Sequence, residues 1–278
     1  MLLIRLLLAL ALLLTGCAAG RSQFVPGGPP QDDTIRLAAP AETVVLIYNH
    51  GSDQEFIPDP CEPAAGDASE WSVPSILADL SGTRVAGKVI AVYGYCTPSR
   101  VGEYRHAKRA GEPKVVKRAR EIGLLADRFA GLGVPRPQIF LVGHSAGAWA
   151  SLLAARERPR AVNAVIAFGP AFAGRRATRP LGWEWLRGAQ VAYLSGAAQI
   201  DALVFAFEGD HYEPPEDLAF LGGIPGVELV VLSGTRIDGV SCGDRPPHLT
   251  DRKPCFRATQ GDRIRDYIER RLRAAGTP

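Results

Sequence analysis

Gln138-Ile139-Phe140-Leu141-Val142-Gly143-His144-Ser145-Ala146-Gly147, with the alanine-rich run from Ala148 to Arg156 behind it, decides how this chain folds. Residues 138–142 form a short apolar run, β-branched at two positions, with the length of a buried strand. Residues 148–156 are good helix formers throughout. A strand, a G-x-S-x-G turn and a helix in that order place Ser145 at the apex of a sharp turn, the context of a nucleophile elbow. The turn strains the backbone at Ser145, and only glycines two residues away let the strand and helix cross so closely.

The same strand pattern recurs on both sides of this stretch. Continuous apolar runs occur at Thr43–Tyr48, Val89–Tyr93, Val162–Phe168, Leu203–Phe207 and Val227–Leu232. Runs apolar on both faces suit parallel strands covered by helices on either side. Helical patterns lie between them, at 71–80, 114–132, 181–200, 215–221 and 262–274. The second places Val115, Ala119, Ile122, Ala126 and Phe129 on one face. Alternating strands and helices predict an α/β fold, a mainly parallel sheet with helices on both faces. The connection from Pro170 to Asp201 reads as mostly one helix, which leaves little room for a large lid.

From Thr43 to residue 275 the element order and the elbow resemble the α/β-hydrolase fold family, in a minimal form. The region before Thr43 reads as too short for the family's antiparallel first strands. The resemblance implies a serine hydrolase that cleaves carboxylic esters through a Ser-His-Asp triad and an acyl-enzyme intermediate. A serine hydroxyl is a poor nucleophile, so it needs a base and a carboxylate that orients the base. In this family the chain order is nucleophile, acid, histidine. Asp210 fits the acid position, because it follows the Leu203–Phe207 strand and precedes Pro214-Pro215-Glu216; Glu208 is its nearest competitor. Of five histidines, only His248 lies beyond the last strand, and it is the expected base, with His211 second. His50 belongs to the loop after the first core strand, and His106 to a charged segment read as a solvated loop. By the family pattern the oxyanion-hole amides come from Ala146 and from Gly51 or Ser52. Trp149, Trp183, Trp185 and Tyr212 are equally readable as an acyl pocket or as ordinary core. The same triad can cleave amides, as α/β-hydrolase peptidases do, and the fold could also serve as a non-catalytic binding lipoprotein.

The front of the chain carries a second resemblance. Arg5, the leucine/alanine stretch to Leu14 and Thr15-Gly16-Cys17 describe a signal peptide over residues 1–16. The apolar core is shorter than the roughly 20 residues a membrane span needs. Leu14-Thr15-Gly16-Cys17 resembles the lipobox of bacterial lipoproteins, which implies cleavage before Cys17 and lipid on its thiol and new amino terminus. Ala18 then implies outer-membrane sorting in a Gram-negative cell, so the expected location is the cell envelope, lipid-anchored. Residues 17–41, with Pro26-Gly27-Gly28-Pro29-Pro30, read as a flexible tether, and 42–278 as the folded domain.

Four further cysteines, Cys61, Cys96, Cys242 and Cys255, make an even count in a chain expected to be exported, which suggests disulfides. Cys242 and Cys255 bracket His248 and are the expected pair; Cys61 and Cys96 follow strands that the family places side by side. The cysteine spacings give no metal site. A formal charge of +3 on 278 residues is too small to point to nucleic acid. No glycine-rich phosphate loop is visible, so no cofactor is expected. The expected partners are a small-molecule ester or related acyl substrate and, through the lipid, a membrane.

Overall fold

A computed structural model describes residues 23–24, 37–51, 67, 72–96, 113–172 and 182–275. The strands are β1 (Gln23–Phe24), β2 (Thr43–Asn49), β3 (Arg84–Val85), β4 (Lys88–Tyr95), β5 (Ile139–His144), β6 (Ala164–Phe168), β7 (Ala202–Glu208), β8 (Val227–Ser233), β9 (Arg236–Ile237) and β10 (Val240–Ser241). The helices are α1 (Ser75–Leu80), α2 (Lys114–Gly131), α3 (Ala146–Glu157), α4 (Trp183–Ser195), α5 (Pro215–Leu218) and α6 (Pro254–Ala275).

The main sheet runs β1-β4-β2-β5-β6-β7-β8, and every pairing from β4 to β8 is parallel. This is the mainly parallel sheet expected from the apolar runs. Alternation along β2 shows why those runs are apolar on both faces. Val45 and Ile47 join one buried cluster with Val115, Ala119, Ile122 and Phe129 of α2 and Trp149 of α3. Val44, Leu46 and Tyr48 join the other, with Leu77 of α1 and Ile264, Tyr267 and Ile268 of α6. Strand period 2 therefore fills two cores at once. The outermost parallel strand, β8, departs from this pattern: its residues are half-buried or exposed, because it has a neighbour on one side only.

The sequence reading differs from the fold at three places. Two antiparallel strands flank β4, although none was expected ahead of the core. Gln23 and Phe24 pair with Gly94 and Tyr93, and Arg84 pairs with Val89. The Phe24 ring meets Tyr93 at 4.9 Å and Phe129 at 6.0 Å, so aromatic burial holds a dipeptide inside the stretch read as a tether. Leu37 is buried and Pro40–Glu42 form a 3₁₀ turn, so the end of that stretch also belongs to the domain. The last helix starts at Pro254 rather than near residue 262, preceded by a 3₁₀ helix at Pro247–Arg252. Cys17, Ser52, Cys61, Trp71 and His106 lie outside the described residues. Among the described residues no helix is long and apolar enough to cross a membrane.

Cys242 and Cys255 form a disulfide, both side chains buried, across a separation of 13 residues. It closes the segment that holds the 3₁₀ helix and His248. Cys96 is disulfide-bonded as well. Loop closure of this length contributes about 3 kcal/mol. The double variant Cys242→Ser/Cys255→Ser should therefore unfold at lower urea, by a free energy of that order. An unchanged midpoint would contradict the structural role given to this bridge.

Candidate active site

In a parallel sheet the carboxyl ends of all strands reach the same edge. Here that edge collects His50 and Gly51 after β2, Ser145 after β5, Gly169 after β6 and Asp210 after β7. Ser145 has φ 53° and ψ −123°, a left-handed conformation that costs a side-chain-bearing residue roughly 1–3 kcal/mol. The surroundings impose it. Its N–H donates to the Phe168 carbonyl at 3.0 Å, and its own carbonyl accepts from Trp149 N at 3.0 Å and Ala171 N at 3.1 Å. A Cβ on Gly147 would lie 2.0 Å from the Asn49 carbonyl oxygen, and one on Gly143 would lie 2.5 Å from the Ala148 amide. Both glycines of the G-x-S-x-G motif are thus dictated by backbone passing backbone. Asn49 and Ser151 hold the far side of the crossing: Asn49 Nδ2 donates to the Gly147 carbonyl at 3.3 Å and Ser151 Oγ to the same oxygen at 2.8 Å.

His248 sits in the 3₁₀ helix at Pro247–Arg252, buried. Its Nδ1 is 2.7 Å from Asp210 Oδ2, while Asp210 Oδ1 accepts the Tyr212 N–H at 2.8 Å. Both carboxylate oxygens are therefore occupied, which fixes the plane of the acid. The bond assigns the imidazole proton to Nδ1 and leaves Nε2 as an acceptor. Nε2 is buried and makes no hydrogen bond among the described residues. The Tyr212 ring lies 4.2 Å from the imidazole, tilted by 35°. Glu208 ends β7 with its side chain exposed, and His211 is exposed, with its ring 6.5 Å from that of His248. Neither competitor is placed to replace Asp210 or His248.

The acid loop is also held from α4. Arg187 Nε meets both carboxylate oxygens of the fully buried Glu213, at 3.1 and 2.9 Å, and its Nη2 donates to the Asp217 carbonyl at 2.9 Å. The four aromatic candidates separate clearly. Trp149 is core, packed on Phe172 and Phe220. Trp183 is half-buried, Trp185 is 76% exposed, and only Tyr212 touches the imidazole.

Sequence reasoning missed a buried carboxylate on the helix that carries His248. Asp251, three residues past His248 in the same 3₁₀ helix, has Oδ1 3.2 Å from His144 Nδ1 with both side chains fully buried. This is an electrostatic contact without the alignment of the Asp210–His248 bond. Burial holds His144 below the usual histidine range, although Asp251 opposes that. Burial alone would raise the Asp251 carboxyl; His144 and then Arg252 bring it below the usual carboxylate range. Arg252 Nε stands 3.9 Å from Asp251, and its Nη2 donates to the Tyr48 hydroxyl at 2.6 Å. The helix carrying His248 is thereby fastened at two points, to the acid loop through Asp210 and to the elbow through His144. The His144 and His248 rings are 4.9 Å apart. No local sequence signal marks Asp251, because His144 lies far away in the chain.

No protein-family model matches the chain, and no curated protein matches it. Solved structures do. The DcsB complex with its substrate analogue matches at TM-score 0.55 and 14% identity, over 91% of this chain and 94% of that one. The monoacylglycerol lipase of Paleococcus ferrophilus matches at TM-score 0.50 and 14% identity, over 82% and 94%. The 2,6-dihydroxy-pseudo-oxynicotine hydrolase matches at TM-score 0.49 and 15% identity, over 86% of this chain, which spans 62% of that one. At these identities the first two establish the α/β-hydrolase fold and nothing finer.

Asp210 and Asp251 should be separable by reactivity. Asp210→Asn is expected to slow labelling of the chain by a fluorophosphonate by about 10⁴, as loss of an orienting acid does elsewhere. Asp251→Asn, which loosens only the mount, should slow it by roughly 10- to 100-fold. The reverse order would give Asp251 the orienting role.

Proposed function

We propose that the protein is a serine hydrolase acting on carboxylic esters, with Ser145 as nucleophile, His248 as base and Asp210 as the acid that orients it. One observation carries the reading: a serine in a forced left-handed turn shares a sheet edge with a buried imidazole whose Nδ1 is bound to a carboxylate and whose Nε2 is left open. A structural turn has no need of that strain, and His248, unlike the buried His144, joins an open Nε2 to an Nδ1 hydrogen-bonded to a carboxylate.

The chemistry follows from these roles. Ser145 Oγ attacks the ester carbonyl carbon while His248 Nε2 takes the hydroxyl proton. The carbonyl π pair moves to oxygen, and the oxyanion lies against backbone N–H groups. The Ala146 amide is the first N–H of α3, so it has no carbonyl within the helix and sits at the positive end of the helix dipole. The second donor is Gly51 or Ser52. Collapse of the intermediate breaks the C–O bond to the alcohol, which leaves with the proton from His248. Water then repeats the sequence on the acyl-enzyme and frees the acid and Ser145. Asp210 stays ionised throughout and stabilises the transient imidazolium. The substrate class is a small-molecule ester or related acyl compound, and no nucleic acid, metal or cofactor enters the reaction.

The same reading includes anchorage of the exported chain to the cell envelope by lipid on Cys17, supported by Leu14-Thr15-Gly16-Cys17.

Ser145→Ala should abolish hydrolysis of short p-nitrophenyl esters while the thermal midpoint stays within a few degrees, since the change removes one oxygen and keeps the Cβ. Turnover equal to wild type would sink the assignment. Separately, Cys17→Ser expressed in a Gram-negative host should leave the membrane pellet for the soluble fraction with specific activity intact. Retention in the pellet would contradict the lipid anchor.

A further inference from the structure

α2 is amphipathic, and its buried face contains one charged residue whose guanidinium is wholly enclosed: Arg118, three residues after Val115 and four before Ile122. Burial pushes this guanidinium down to about 10, against the opposing pull of Glu121 and Tyr95, so it remains a cation at neutral pH. Enclosing a cation is unfavourable unless its N–H groups find acceptors. Arg118 finds them on the loop after β2. Nη1 donates to the His50 carbonyl at 2.9 Å, and Nη1 and Nη2 each reach the Gly51 carbonyl at 3.5 Å. His50 Nδ1 also lies 2.6 Å from the Gly51 oxygen.

In a trans peptide the C=O and the following N–H point in opposite directions, and the described residues contain no cis bond. A His50 carbonyl turned toward α2 therefore turns the Gly51 N–H away from α2. Gly51 itself borders the elbow: a Cβ placed on it would lie 3.4 Å from Ser145 Cβ and 2.9 Å from His144 Cδ2. A planar fork presents two nitrogens to these consecutive carbonyls in a fixed geometry, which the single ammonium of lysine does not reproduce.

We propose that Arg118 is the positioning residue of the oxyanion hole, holding the peptide between His50 and Gly51 so that the Gly51 amide serves the oxygen on which charge develops. This rests on the hydrolase reading above. Arg118 touches no reacting atom, so its effect belongs to the transition state. Losing one hole donor costs about 10²–10³ in rate, and a misaimed donor should cost part of that.

The test uses the full chain as wild type, Arg118→Lys and Arg118→Ala, with p-nitrophenyl butyrate as substrate and an alkyl trifluoromethyl ketone as inhibitor. The ketone adds to Ser145 Oγ and holds a tetrahedral oxyanion; the substrate's ground state does not. In Arg118→Lys, kcat should fall about 10- to 100-fold with KM within about 3-fold, and the ketone's Ki should rise by the same factor as kcat/KM falls. Millimolar guanidinium should restore part of the activity of Arg118→Ala and none to wild type. If Arg118→Ala does not fold, the lysine variant alone decides. A folded Arg118→Lys with unchanged kcat, or with its loss confined to KM and the ketone's affinity unaltered, overturns the proposal. A wild-type chain inert to both ester and ketone overturns the hydrolase reading itself, and this inference with it.

Discussion

The contact between the Asn49 carbonyl and the α-carbon of Gly147 is the constraint on which the carboxyl edge of the sheet depends. A methyl group there would sit 2.0 Å from that oxygen, well inside any tolerable contact. It brings the end of β2, the end of β5 and the start of α3 into one backbone crossing. Three consequences follow together. Ser145 is forced to positive φ and lifted out of the strand. The first turn of α3 presents its open amides at the same point. The loop from His50 to Gly51 passes close beside the serine, where its peptide groups can serve chemistry.

The histidine side is built on a different principle. It uses long-range side-chain contacts in place of backbone crossing. The 3₁₀ helix at Pro247–Arg252 has little intrinsic stability, since its hydrogen bonds are few and poor. It is fixed from outside by Asp210 on His248, His144 against Asp251, Tyr48 and Ser72 on Arg252, and the Gly234 carbonyl on Lys253. The Cys242–Cys255 bridge closes the segment at both ends. Each of these polar groups is buried, so loss of a partner strands a desolvated donor or acceptor. Such a network is cooperative and specifies one position for the base.

This contrast explains what could be read from the sequence. The parallel strands inside the sheet were legible because both faces of each are buried, which leaves continuous apolar runs; β8, at the edge, was legible from its composition alone. α2 was legible from its 3.6-residue period, and the elbow from its two glycines. Arg118 was overlooked because charge in a helix suggests solvent, yet its spacing from Val115 and Ile122 puts it on the buried face, and that signal was available. The run from Asp251 to Lys253 looks like a solvated surface by composition; its burial depends on Tyr48, His144 and Gly234, which no local pattern connects to it. The β1 dipeptide was hidden for the same reason, since one aromatic residue among prolines and glycines carries no period.

The central claim is that the forced turn makes Ser145, among all serines of the chain, the reactive one, and that His248 activates it. It is tested most directly by treating the wild-type chain with a stoichiometric fluorophosphonate at neutral pH and mapping the adduct by peptide mass spectrometry. The account requires a single phosphonylated residue, Ser145, formed only while the chain is folded and suppressed in His248→Asn. An adduct on another serine, no adduct at all, or labelling that survives denaturation or loss of His248 would contradict it.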